Sequence, residues 1–333
     1  MKKKLVIVGS GPAGLVCAFS ACKNGIDASD ILIIEREEEL GGILKQCIHT
    51  GYLKTLTGTE FASRLIQKIK EKEIGYILNS SVISFDKDRV LTVVSPELGY
   101  TKIEADAIVL ATGCREKSKG GLLIGGTRPA GIMSAGTAQR FVNIFGLMPG
   151  KRTVVVGTTE LALIMARRLT LEGGHVLCVC DNKKSTIADK KYVKECIRDF
   201  NIPLKLSYSI RRIYGKERIE AVEICEVDKK GRVIKGTKQR LECDSLVYSC
   251  GYIPDSDLVR DAGIPIKKAT KGPVTKKNLE TDIEGVFVVG NALFIHASVD
   301  DIVKEGQEVG ESVYKYISKK ESQRKKAQEA EKK

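Results

Sequence analysis

The run Gly9-Ser10-Gly11-Pro12-Ala13-Gly14 follows a short apolar run, Leu5–Val8, and opens a helical pattern, LVCAFSACKNG, that stops at Gly25. A second apolar run, Ile31–Ile34, then ends in Glu35. The apolar runs read as buried parallel strands. Between them, Gly9 permits a tight turn, Gly11 lets the backbone approach a pyrophosphate, and Gly14 lets the helix pack on the strand. Ser10, Pro12 and Ala13 complete this binding turn, and the helix N-terminus supplies unpaired N–H groups and a positive dipole end for phosphates. Glu35 lies 21 residues after Gly14, where a carboxylate can accept both ribose hydroxyls of an adenosine. Arg36 beside it is assigned to the same site. The unit reads as a complete dinucleotide-binding βαβ.

The layout recurs. Val154–Val156 leads into Gly157, a helical pattern runs through LALIMARRLTLEGG, and the strand VLCVC ends in Asp181. The acid falls 24 residues after Gly157, against 26 from Gly9 to Glu35. An internal repeat of this kind predicts an α/β protein of two Rossmann-like, three-layer ββα dinucleotide-binding domains. The second turn is altered, because Thr159 places a β-branched side chain where a backbone should approach phosphate, although Ala162 suits the third position. Asp181 favours NAD over NADP by accepting from a ribose 2′-OH, and Lys183 and Lys184 pull the other way. Two readings stay open here: a working NAD(H) site, or a domain that keeps the fold and has lost the ligand.

A chain of 333 residues with 42% hydrophobic and 29% charged residues fits two globular domains and excludes disorder as the main state. No run of apolar residues is long enough to predict a membrane span. The absence of Trp and an aromatic fraction of 5% weigh against base stacking, so no nucleic-acid partner is expected. The net charge of +13 includes a tail, residues 318–333, with seven basic and three acidic residues, expected as a disordered extension. The remaining charge is spread through the chain and reads as a solvated surface; a weaker reading is attraction of phosphorylated ligands or an acidic partner. None of the ten cysteines forms a C-x-x-C pair, which removes zinc-ribbon, iron–sulfur and thioredoxin-type motifs. Cys178 and Cys180 read as small buried hydrophobes, and thiols in this number point to a reducing, cytoplasmic compartment. The basic, apolar N-terminus mimics a secretory signal, but the glycine turn explains it better.

Glu39-Leu-Gly41-Gly42 completes the pattern E-x-x-x-x-L-G-G counted from Glu35. A strand ends in Ala111-Thr112-Gly113, and Thr281-Asp-Ile-Glu-Gly-Val-Phe-Val-Val-Gly290-Asn291 comes late in the chain. With these landmarks residues 4–317 resemble the two-dinucleotide-binding-domain flavoproteins, the pyridine nucleotide–disulfide oxidoreductase superfamily, at thioredoxin-reductase-like size and order. The resemblance implies FAD at the first site, with Gly41 and Gly42 passing close to the ribitol and flavin. It places a backbone contact to adenine at Val82 and the ribitol hydrogen bond at Asn291, which replaces the usual Asp. It also implies that the helix starting near Asp300 points its N-terminus at the flavin pyrimidine, unless Asp300 is an ordinary N-cap. Leu246–Pro254, with Gly251, resembles the second crossing between domains, so the expected domains are 1–117 with 246–317 for FAD and 118–245 for NAD(P). Leu147–Lys151 is expected as a linker strand, and Ala221–Val227 with the turn Asp228–Gly231 as a hairpin.

The same resemblance bears on where electrons go. Ala135 and Ala138 stand where thioredoxin reductases carry a cysteine pair, and the segment after Gly42 holds one cysteine, Cys47. Disulfide-reductase chemistry is therefore not expected. His49 shares an extended face with Cys47 and could lower its thiol pKa; against this stands a loop cysteine that merely packs near the flavin. His296 is a third candidate catalytic residue, and His175, opening a strand, reads as structural.

The segments ELGGILKQCIHTGY, TRPAGIMSAGTAQRFVN and GNALFIH are similar to a subfamily of NAD(P)/FAD-dependent oxidoreductases. These accompany a larger flavoprotein resembling glycerol-3-phosphate dehydrogenase and a small cysteine-rich protein. Distant relatives are subunits of opine dehydrogenase, hydrogen cyanide synthase and sarcosine oxidase. The leading expectation is an electron-transfer subunit passing hydride between NAD(H) and FAD, with NADP less favoured. The alternatives are a single-cysteine thiol-flavin peroxidase or oxidase using Cys47, and a non-catalytic flavin-bound scaffold with a dead second site.

Overall fold

The computed structural model describes residues 1–117 and 124–331. The chain opens with β1 (Lys2–Val8), α1 (Pro12–Asn24), β2 (Ile31–Ile34), β3 (Thr50–Tyr52), β4 (Leu56–Thr57), α2 (Gly58–Glu71) and β5 (Gly75–Ile77). There follow β6 (Ser81–Phe85), β7 (Val90–Ser95), β8 (Gly99–Leu110) and β9 (Cys114–Glu116). Next come β10 (Gly125–Gly126), β11 (Ile132–Ser134), α3 (Ala135–Asn143), β12 (Arg152–Val156), α4 (Glu160–Leu171), β13 (His175–Asp181) and α5 (Lys190–Val193). Then β14 (Leu204–Leu206), β15 (Tyr208–Tyr214), β16 (Ala221–Glu226), β17 (Gln239–Glu242) and β18 (Ser245–Tyr248) close the middle of the chain. It ends with β19 (Tyr252–Pro254), α6 (Asp257–Asp261), β20 (Val286–Val288) and α7 (Val299–Glu331).

These elements form two units, Met1–Arg115 with Ile253–Lys333, and Glu116–Tyr252. In the first, the sheet order is β5-β2-β1-β8-β7-β6, with β20 also pairing β8. The long β8 explains the branching. Its C-terminal half runs parallel to β1 and β20, and its N-terminal half turns back on β7 in an antiparallel meander.

Both faces of the parallel strands are covered, so the strands are apolar throughout. Leu5, Ile7, Ile31, Ile33 and Val109 pack on α1, α2 and α7 through Leu15, Phe61, Ile69, Val309 and Val313. Their neighbours Val6, Val8, Leu32, Ile34 and Ile108 face the meander through Phe85, Leu91, Val93 and Ile103. Alternate side chains of a strand serve alternate layers, and each fully buried Leu or Ile contributes roughly 1.5–3 kcal/mol.

The second unit repeats this plan. A parallel sheet, β11-β18-β12-β13-β14, accompanies a sheet ordered β10-β15-β16-β17. Cys178 and Cys180 lie in the core between Val154, Leu246 and the meander residues Ile213 and Val222, as small hydrophobes. None of the ten cysteines is in a disulfide among the described residues.

Three sequence expectations change. The return crossing falls at 252/253 rather than at residue 246, because β18 is an interior strand of the second sheet, paired with β11 and β12. The boundary expected at residue 118 lies outside the described residues. Leu147–Lys151 is an irregular connection from α3 to β12, not a strand. The tail from Ser318 continues α7 to Glu331: Arg324 reaches the buried carboxylate of Asp106 at 2.8 Å and Glu321 meets Lys4 at 2.8 Å, while residues 332–333 lie outside the described residues. At the expected hairpin, Asp228 accepts the N–H groups of Lys230 and Arg232, and β16 pairs antiparallel with β17. No helix of the described residues is long and apolar enough to cross a membrane.

Candidate functional site

In the first unit the turn after β1 is built by close backbone approach. Gly9, at φ +105°, donates its N–H to the Ile34 carbonyl, and a Cβ on Gly9 would lie 2.5 Å from the Ala111 carbonyl oxygen. A Cβ on Gly14 would lie 2.0 Å from the Gly9 oxygen. Side chains are thus excluded at both positions by the protein itself. Gly11 differs: its backbone is ordinary, at φ −64°, and a Cβ there would meet nothing within 4 Å. Pro12 begins α1, Ala13 is buried behind it, and no side chain caps the helix. Its first N–H groups are therefore offered outward, the arrangement that binds a phosphate anion.

Glu35 directly follows β2 and is 5% exposed. Its Oε2 accepts the Ser10 N–H at 2.8 Å and the Ser10 hydroxyl at 2.6 Å, and its Oε1 accepts the Glu37 N–H at 3.0 Å. A carboxylate offers about four acceptor positions, so most of its capacity holds the turn. Arg36 is exposed beside Glu37. The Gly41 N–H donates to the Ser10 carbonyl, and a Cβ on Gly42 would lie 2.9 Å from the Gly11 Cα. The double glycine is thus laid directly against the turn. Ser80, two residues before Val82, donates its N–H to the Glu35 carbonyl, which brings the start of β6 to the acid.

The A-T-G segment closes the other side. Ala111 donates its N–H to the Val8 carbonyl, Thr112 donates its hydroxyl to the Asp255 carbonyl at 3.0 Å, and Gly113 accepts the Asp255 N–H. The Asn291 amide nitrogen lies 3.7 Å from Cys114 Sγ, and its Oδ1 accepts the His296 N–H at 2.9 Å. His296 Nε2 stands 3.2 Å from Glu305 Oε1. The N-cap of α7 is Ser298, which accepts the Asp301 N–H; Asp300 is exposed in the first turn, so the expected N-cap role belongs to its neighbour.

Cys47 is 6% exposed, with Sγ donating to the Ile43 carbonyl at 3.3 Å and Gly58 closing over it. His49 packs its ring against Tyr52.

The second unit repeats the first turn with changed side chains. A Cβ on Gly157 would lie 2.1 Å from the Ser249 carbonyl oxygen, as Gly9 meets Ala111. Thr158 donates its hydroxyl to Asp181 Oδ2 at 2.7 Å and Lys183 its N–H to Oδ1 at 3.0 Å, the counterparts of Ser10 and Glu37 on Glu35. The difference is at Thr159, which caps α4 by accepting the Ala162 N–H at 3.2 Å and lies 2.6 Å from the Ser249 hydroxyl. Gly251 accepts the Lys117 N–H beside Cys250, whose thiol burial pushes up to about 11, with Asp181 and Glu116 adding to the effect. Burial also raises the Glu160 carboxyl at the start of α4, reinforced by Asp189. Gly157 and Asp181 thus keep the build of the first turn, and the Thr159 hydroxyl caps the helix terminus that α1 leaves uncapped.

Sequence reasoning missed Thr158, Ser249 and Glu305. Alignment of the internal repeat finds Thr158 opposite Ser10; nothing local marks Glu305.

The family described as "Pyridine nucleotide-disulphide oxidoreductase" matches residues 3–318. The chain is 24% identical to one of the subunits of the opine oxidase of Rhizobium meliloti, over 86% of this chain and 58% of that protein. It is also 24% identical to ferredoxin–NADP reductase 2 of Bacillus licheniformis, over 86% of this chain and 83% of that one. The chain spans about three fifths of the length of several curated relatives it matches. Among solved structures, thioredoxin reductase of T. acidophilum superposes with a TM-score of 0.75 at 20% identity, covering 94% of this chain and 98% of that one.

Proposed function

Because the chain belongs to the pyridine nucleotide-disulphide oxidoreductase family, whose members are oxidoreductases that bind FAD and NAD(P)H, we propose that it is an electron-transfer subunit passing hydride between NAD(H) and FAD. The single observation that carries the reading is the uncapped N-terminus of α1 beside Gly11, with Gly42 laid against it and nothing filling its outer side.

A bound flavin supplies a ring that takes up or releases hydride. The chain supplies the rest. The turn from Gly9 to Gly14, with Ser10, Pro12 and Ala13, binds the diphosphate, and Glu35 offers its remaining acceptor capacity to the adenosine ribose with Arg36 at the rim. Val82 presents its backbone to adenine. Gly41, Gly42, Ala111, Thr112 and Gly113 line the ribitol and ring, and Asn291 meets a ribitol hydroxyl. In the second unit Gly157, Asp181 and Gly251 receive the nicotinamide dinucleotide, with Asp181 favouring NAD(H) over NADP by accepting from the 2′-OH. Ala135 and Ala138, in place of thiols, mean that electrons leave by a route other than a disulfide of this chain.

The proposed partners are a larger FAD-dependent dehydrogenase resembling glycerol-3-phosphate dehydrogenase and a small cysteine-rich protein. The likeness to one component of an opine oxidase supports a multi-subunit setting. A thiol peroxidase reading centred on Cys47 and His49 is not favoured, since Cys47 is buried and its thiol donates to a backbone carbonyl.

Anaerobic titration of the purified protein with NADH, then NADPH, tests the proposal through the flavin spectrum. The expected result is a yellow protein bleached by NADH. A protein that takes up no FAD, or a bound flavin that neither nucleotide reduces, would overturn it.

A further inference from the structure

The loop 290–296 of the first unit is closed by hydrogen-bonding contacts at both ring nitrogens of His296. The His296 backbone N–H donates to Asn291 Oδ1 at 2.9 Å. A backbone N–H only donates, so the amide oxygen, not its nitrogen, faces the loop. That oxygen lies 3.1 Å from His296 Nδ1, which must therefore carry a proton. The opposite ring nitrogen, Nε2, stands 3.2 Å from Glu305 Oε1, while Glu305 Oε2 accepts the Gly290 N–H. A neutral ring protonated at Nδ1 would aim a lone pair from Nε2 at the carboxylate. The His296 side chain is 4% exposed and that of Glu305 11%. Phe294 stacks on the ring with centroids 4.1 Å apart. An acceptor facing an acceptor in such a place leaves both groups unsatisfied.

We propose that His296 is a fixed imidazolium donating from both ring nitrogens, and that Glu305, on α7, is the positioning residue that holds this cation and the Gly290 backbone together. The inference deepens the flavin reading of the site and rests on it for its functional consequence. Glu305 belongs to the turn of α7 that packs on α1, since a Cβ on its neighbour Gly306 would lie 3.1 Å from the Ala13 oxygen. It therefore ties the late loop to the helix that begins at the phosphate turn. With Asn291 Oδ1 engaged by His296 and one amide N–H directed at Cys114 Sγ, the amide offers a bound flavin its other N–H, as a donor. Asn in place of the family's Asp removes a negative charge from this loop, and the His296 cation neutralises that of Glu305. Both changes favour the negative charge a flavin gains on reduction.

Nitrogen NMR of histidine-labelled protein reads the proton count directly. The chain has three histidines, and His296→Gln assigns the relevant pair of signals by their loss. In the wild type near neutral pH, both His296 ring nitrogens should carry protons, and Glu305→Gln should leave one. A single protonated nitrogen in the wild type, with Glu305 holding the other proton, overturns the proposal and needs no variant to fold. In the FAD-loaded protein, His296→Gln should weaken preferential binding of reduced over oxidised flavin by about tenfold, about 30 mV for a two-electron couple. An unchanged potential removes the electrostatic role. Failure to bind FAD at all would count against the flavin reading, and the NMR result would still decide the His296–Glu305 pair.

Discussion

The hydroxyl of Thr159 lies 2.6 Å from that of Ser249 and also accepts the Ala162 N–H, so α4 caps itself at the place where α1, at Gly11, takes no side chain. A ligand phosphate at α4 must displace this cap. Thr159→Gly should therefore raise NADH affinity, by about fivefold if one capping hydrogen bond near 1 kcal/mol is all that competes. Isothermal calorimetry on the two proteins checks this; equal or weaker binding in the variant would show that the hydroxyl does not obstruct the nucleotide.

The glycines of the first turn separate ligand effects from folding effects. A Cβ at Gly11 meets no protein atom within 4 Å, whereas one at Gly14 would lie 2.0 Å from a backbone oxygen. Gly11→Val should melt like the wild-type apoprotein and lose FAD, with affinity down at least about a hundredfold from blocking the backbone's approach to the diphosphate. Gly14→Val should lose about 3 kcal/mol of stability from overpacking against rigid backbone. Flavin content and thermal melting, measured together, test the pair. Full FAD retention in Gly11→Val would remove the first turn as the flavin site.

Glu35 holds the turn from within, accepting from Ser10 twice and from Glu37 once. Glu35→Gln turns one accepting end into a donor that faces a backbone N–H. The expected cost is about 3 kcal/mol, the range for a lost charge-assisted bond with an unsatisfied partner, together with weaker FAD binding. Urea denaturation of the apoprotein reads the first effect without the cofactor.

Buried thiols give the stability an alkaline slope. Burial pushes Cys17 up to about 12, and Cys243 and Cys250 up to about 11, with neighbouring carboxylates adding at the last two. Below the ordinary thiol value near 9 both states keep their protons and no penalty arises. Above it the unfolded chain releases protons that the folded chain retains, so stability falls as pH rises from about 9 through 11. Denaturation midpoints at pH 8, 9 and 10 should decline, and Cys250→Ser should flatten part of that decline.

Much of this was legible along the chain. The strand, its leading glycine and the terminal acid occur twice, and each copy forms the same strand–turn–helix, because a backbone oxygen 2.1–2.5 Å from where a Cβ on Gly9 or Gly157 would sit leaves glycine as the residue that fits. The apolar runs of β1, β2 and β13 announced strands covered on both faces. The boundary at residue 246 was misread because a crossing and an interior strand share one apolar run, and only pairing with β11 and β12 assigns it to the second sheet. The tail read as disordered because composition does not reveal that Arg324 will find a buried carboxylate 218 residues away.

Residue type and spacing were enough to specify the two dinucleotide folds, the place of each turn, and the damage at Thr159, since all of these are local consequences of the chain. What the polar groups do emerged only once the elements were packed. Ser10 and Thr158 are spent on their acids, Ser298 rather than Asp300 caps α7, and Glu305 reaches His296 across 3.2 Å from another element. Hydrogen bonds act over a few ångströms in space, whatever the distance along the chain, so their partners are fixed only when packing brings separate elements together.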